Sequence, residues 1–199
     1  MWHISMAVLT LTSKLFISGN LSFFGDHIML IRKEEDTDYI AITEVNDHAF
    51  GQENEGRLVV NLRMHSDFVP ELSLVAEVDG KVVGHILFFP IKVVDDGKEF
   101  DSLSLAPMSV LPKFQKQGIG SALVKEGLTV AENLGHRSVI VLGHAEYYPR
   151  FGFRPASQWG IRAPFEDVPD EAFMAMELVD GALDDVRGVV EYPDEFNEV

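Results

Sequence analysis

Six residues, Gln115-Lys116-Gln117-Gly118-Ile119-Gly120, have the types and spacing to hold a phosphate. They follow a Val110-Leu111-Pro112 strand exit and run into Ser121-Ala122-Leu123-Val124, which opens an amphipathic helix. Glycine at a helix start lets a ligand reach the main chain with no Cβ in the way. The first helical amides lack intrahelical acceptors, and the helix dipole puts positive charge at that end, so an anion is favoured there. Two other glycine motifs are excluded. A dinucleotide fingerprint would need its third glycine where the chain has Leu123, and Gly-x-x-x-x-Gly-Lys-Ser/Thr occurs nowhere. Lys113, Lys116 and Lys125 gather beside the turn in a chain whose formal net charge is −16.

That charge bears on partners. An acidic chain repels a nucleic-acid backbone, so no nucleic-acid partner is expected. The 199 residues suit one domain with a continuous core, and 46% hydrophobic content argues for a folded globule. With no cysteine there is no disulfide framework, thiolate metal site or cysteine nucleophile, and no HExxH or comparable spacing points to a metal. A cytoplasmic location is expected.

The elements that must position the glycine turn are legible in the periodicity. Residues 29–33 read as a strand. Asp36-Thr37-Asp38 starts a helix to residue 50, Gly51 breaks it, and a second helix spans 53–64. Strands follow at 72–78 and 81–93 around an Asp79-Gly80 hairpin turn, then at 99–111 after Asp95-Asp96-Gly97-Lys98. Pro107 interrupts the third of these and predicts a bulge or an unpaired stretch, because proline lacks a ladder donor. A helix over 118–134 is capped by Gly135, and 138–142 is a short apolar strand. The crossover from 99–111 through the helix to 138–142 predicts parallel, right-handed pairing. The fold class is therefore mixed α/β (α+β), a partly antiparallel central sheet flanked by helices. Residues 1–28 read as an extension outside the core. Their apolar clusters lack a basic start and are interrupted by polar residues, which fits neither a signal peptide nor a membrane span. The domain is expected over 29–199, with a further strand and loop segment after about 157.

The order Gln-x-x-Gly-x-Gly after a Val-x-Pro strand exit resembles the acyl-CoA pyrophosphate loop of the GNAT superfamily of N-acetyltransferases. Tyr147-Tyr148-Pro149-Arg150-Phe151-Gly152-Phe153 resembles the (Phe/Tyr)-Tyr-x-x-x-Gly-Phe stretch that follows the fifth strand in that family. Pro164-Phe165 and the run from Val168 to Met174 are similar to its YhbS-type group. The likeness covers roughly residues 29–157. It implies a GNAT-like acyl-CoA N-acyltransferase fold and acetyl-CoA as acyl donor. By the same resemblance the donor is held by Met108, Ser109, Val110, Gln115, Lys116, Gln117, Gly118, Ile119, Gly120, Ser121 and Tyr148.

The implied reaction is N-acetylation of a primary amine on a small molecule or peptide, by direct attack in a ternary complex. Tyr148 is then the general acid: a tyrosine near pKa ~10 is close enough to a thiol near ~8.5 to protonate the departing thiolate. Backbone amides around Ser109 and Val110 would polarise the thioester oxygen. Glu77, His85 and His144 are candidate bases, with His144 standing where the related group has an acidic residue. Two other readings stay open: a non-catalytic acyl-CoA-binding module, and an acyltransferase using another donor or acceptor. No membrane partner is implied, and a homodimer is compatible with the sequence.

Overall fold

The computed structural model describes residues 20–24 and 27–197. Its described strands form one sheet of ten. β1 (Asn20–Phe24) and β2 (His27–Lys33) pair antiparallel at one edge. α1 (Tyr39–Phe50) and α2 (Asn54–Met64) follow, then the antiparallel meander β3 (Ser73–Val78), β4 (Lys81–Asp95) and β5 (Lys98–Val110). α3 (Ile119–Asn133) crosses back to β6 (Ser138–Leu142), which pairs parallel with β5. Beyond β6 the chain adds β7 (Arg154–Pro155), β8 (Ile161–Arg162), β9 (Phe173–Glu177) and β10 (Gly188–Glu191). β9 lies antiparallel to β6, and β10 pairs with the far half of β4.

The mixed, helix-flanked sheet matches the class expected from the sequence. β2 begins at His27, two residues before the expected boundary at 29, and β1 is drawn from the segment expected to lie outside the core. The rest of that expected extension, residues 1–19 and 25–26, lies outside the described residues. No described helix is long and apolar enough to cross a membrane.

Alternation along β4 builds two of the layers. Ile86 and Phe88 join Leu123, Val124 and Leu128 under α3, while Leu87 and Phe89 join Ile42, Leu58 and Leu62 under α1 and α2. Gly127 lets α3 close on the Phe88 ring, where any Cβ would overlap the aromatic carbons. The end of α3 is a Schellman cap: Gly135 takes φ +89, its amide donates to Glu132 O, and the His136 amide donates to Ala131 O. A third cluster, with Ile140, Phe173 and Val190, ties the C-terminal strands to the sheet.

Candidate active site

The site begins where β5 leaves its neighbours. β5 and β6 are paired only at Leu103↔Val139 and Ser104↔Ile140, so the rest of β5 has no strand partner on that edge among the described residues. On its other edge the β4 register shifts between Ile86 and Phe88, opposite Ala106-Pro107. This is the bulge that Pro107 predicts. The Leu111 amide donates to Val83 O at 2.9 Å. By the two-residue alternation of an antiparallel ladder, Ser109 also faces β4, while Val110 and Met108 face the open edge. Main-chain groups there line a cavity of about 1160 Å³.

At the end of β5 the chain turns into α3. Gln115 lines the cavity, and its Nε2 donates to Val110 O at 2.9 Å and ties the turn to the open strand edge. Gln117 likewise donates to Lys113 O at 2.8 Å, and it is absent from the cavity wall. Lys116 adopts φ +59 and Gly118 φ +95, and these two left-handed residues curl the main chain into a concave turn. Ile119 is 1% exposed and packs into the core rather than forming part of the cavity wall. Gly120 lies at the floor. A Cβ built there would stand 3.0 Å from the Tyr147 hydroxyl and 3.3 Å from Met108 Sδ. Lys116, Gly118, Gly120 and Ser121 line the cavity with Met108, Ser109 and Val110. The donors, dipole and absent Cβ fit a phosphate.

The two tyrosines divide the work. Tyr148 is buried, with its ring edge-on to Phe153 (centroids 5.6 Å apart) and close against Gly143, where a Cβ would overlap the ring. It lines the cavity, and its hydroxyl has no hydrogen-bond partner among the described residues. Burial, and then the neighbouring Tyr147, hold Tyr148 well above the usual tyrosine range, so it keeps its proton. Tyr147 is half-buried over Gly120, and Arg150 both stacks on its ring at 4.4 Å and donates to its carbonyl.

The candidate bases separate clearly. Glu77 is bound by Arg32 and is not part of the cavity wall. His85 is wholly buried: Nδ1 accepts from Asn46, and Nε2 donates to Ser73 Oγ, which donates to Glu34. Glu34 is itself held bidentately by Arg63. Desolvation, then the Arg63 charge, push His85 down to about 3, so it stays neutral and both nitrogens are occupied. His144 does line the cavity, together with two carboxylates that the sequence reading passed over, Glu55 and Glu146. Tyr192 and Phe196 were equally silent in the sequence, because only folding brings the C-terminal segment back over β5. No group of metal-ligating side chains occurs among the described residues.

Residues 34–153 match the acetyltransferase (GNAT) family model. The chain belongs to the GNAT acetyltransferase family. It is 36% identical to the uncharacterized N-acetyltransferase YhbS of Escherichia coli over 170 residues, 85% of this chain and 99% of that one. It is 41% identical to E. coli YjhQ, also an uncharacterized N-acetyltransferase, over 65% of this chain and 72% of the relative. The crystal structure of E. coli YhbS in complex with CoA superposes with a TM-score of 0.79, at 35% identity, covering 85% of this chain and 92% of that one. A Brucella melitensis GNAT acetyltransferase crystallised with acetyl-CoA gives 0.69, also at 35% identity, over 84% and 97%. The protein is thus an acyltransferase with the GNAT fold.

Proposed function

We propose that this GNAT protein transfers the acetyl group of acetyl-CoA to a primary amine by direct attack in a ternary complex. The observation that carries the reading is the parting of β5 from β6 beyond Ser104, which puts an open strand edge, a glycine turn and Tyr148 around one cavity. The relatives crystallised with CoA and acetyl-CoA support the choice of donor. In this reading the turn from Lys116 to Ser121 receives the pyrophosphate. The outward amides of Met108 and Val110 receive the pantetheine arm and the thioester oxygen.

The neutral amine attacks the thioester carbon, a C–N bond forms and the C–S bond breaks. Tyr148 gives its proton to the departing thiolate and regains one from solvent. The proton that attack leaves in excess on the amine nitrogen passes to one of the cavity's acceptors, Glu55, His144 or Glu146, and the neutral amide is released. A chain without cysteine has no thiol for an acetyl-cysteine intermediate, which supports direct transfer. Initial velocities measured over a grid of acetyl-CoA and amine concentrations test this. Intersecting double-reciprocal lines are expected; parallel lines would overturn the ternary complex. Acetyl-CoA should also raise the melting temperature in a concentration-dependent way, since a ligand of the native state stabilises it.

A further inference from the structure

The end of the cavity remote from the glycine turn has its own chemistry. Tyr192, from the segment after β10, lines the cavity beside Ser104, the last β5 residue still paired with β6. The glycine turn is tied to Val110, six residues further along the strand, so roughly 20 Å of extended β5 separates the two ends. Phe165 stacks on Tyr192 with ring centroids 5.8 Å apart and planes at 20°, and Phe196 packs against Tyr192 at 4.9 Å. Phe196 also meets Phe89 and the Leu58 cluster beneath α2. The aromatic wall is therefore fixed to the sheet, yet Phe165 and Phe50 remain 44% exposed beside the cavity. Large apolar side chains left open at a cavity mark the place of an apolar ligand surface.

The charges sort in the same sense. Among the described residues lining the cavity the lysine and arginine are Lys116, in the glycine turn, and Arg150, stacked on the Tyr147 that covers Gly120. Both lie at the donor end. Glu55 stands one helical turn before Leu58 on α2, half-buried and hydrogen-bonded to Gln52. It gives the α2 side of the aromatic end a carboxylate.

Resting on the transferase reading above, we infer that the acceptor is a primary monoamine on an apolar aryl or alkyl body. The body lies on Phe165, Tyr192 and Phe196, and the incoming ammonium is drawn to Glu55. A carboxylate-bearing acceptor would be desolvated at this end with no lysine or arginine to meet it. A polyamine or aminosugar would bring several polar groups against aromatic faces that offer them no partners.

The test uses the whole protein and a panel of phenethylamine, hexylamine, spermidine, glucosamine and glycine, with acetyl-CoA. Phenethylamine and hexylamine should exceed the polar acceptors in kcat/KM by at least about tenfold. Phe165→Ala should raise KM for phenethylamine about tenfold with a much smaller change in kcat, and leave acetyl-CoA affinity unchanged. Glu55→Gln should raise the same KM and leave acetyl-CoA affinity unchanged. Preference for spermidine, glucosamine or glycine would overturn the inference and leave the N-acetyltransferase reading standing. Calorimetric binding of phenethylamine to the CoA complex without turnover would uphold the ligand class and overturn the transferase reading. Neither binding nor turnover of any panel member would overturn both.

Discussion

Replacing Tyr148 with phenylalanine removes one oxygen and nothing else that the fold uses. The ring keeps its contacts with Phe153, Tyr147 and Gly143, and the lost hydroxyl had no protein partner among the described residues. Stability should therefore change by less than about 1 kcal/mol, because no buried group is left unpaired. Catalysis should change far more. A positioned general acid contributes about 10²–10⁴-fold, so kcat of Tyr148→Phe should fall by that factor, equivalent to about 3–5 kcal/mol of barrier. The pH dependence sharpens the expectation. Burial raises Tyr148, so the wild-type acid stays protonated through the ordinary assay range and produces no falling limb near pH 10. The assay is release of CoA thiol with a saturating amine from pH 6 to 10, beside a thermal melt of each protein. A folded variant that keeps kcat within about threefold of wild type across that range would refute the assignment, since the lower bound for a general acid is ~10²-fold.

Three further outcomes are expected. Gly120→Ala puts a Cβ 3.0 Å from the Tyr147 hydroxyl at the floor of the turn; acetyl-CoA Kd should weaken by about tenfold or more while the apo melting temperature holds or rises, because alanine favours the helix by roughly 0.5–1 kcal/mol. Gln115→Ala releases Val110 O from its 2.9 Å hydrogen bond. Losing about 1 kcal/mol of restraint on the turn should raise KM for acetyl-CoA roughly fivefold, with kcat little changed. His85, about 3 in the fold against an ordinary 6.5, makes the unfolded chain bind more protons below pH 6.5. Its contribution is complete above that pH and is lost as pH falls towards 3, so urea unfolding should show about 1.5–2 kcal/mol less stability at pH 5 than at 6.5. His85→Gln should flatten that slope, apart from the smaller effect of half-buried His136, which is lowered in the same sense.

The local signals in this chain were strong where each element carried its own pattern. Gly135 ended α3 because only a left-handed residue closes a Schellman cap. Asp79-Gly80 set the β3–β4 hairpin because both residues take positive φ there. Pro107 announced the break in β5 because proline cannot donate to a ladder. The strands after residue 153 gave no such signal. β7 and β8 are two residues each, too short for periodicity, and exist because β9 and β10 lie beside them. His85 and Glu77 looked like bases for a related reason: residue type is visible in a sequence, whereas burial and partner are not.

By itself the sequence determined the order of strands and helices from β2 to β6, the glycine turn and the tyrosine segment behind it. Those depend on backbone propensity and on neighbours a few residues apart. Tertiary structure decided what surrounds them. It braced Gln115 on Val110 at the cavity wall, hid His85 behind Asn46 and Ser73, and carried Phe165, Tyr192 and Phe196 across the sheet to one end of the cleft. Contacts between residues scores of positions apart come from packing and the closing of the sheet, and no local pattern encodes them.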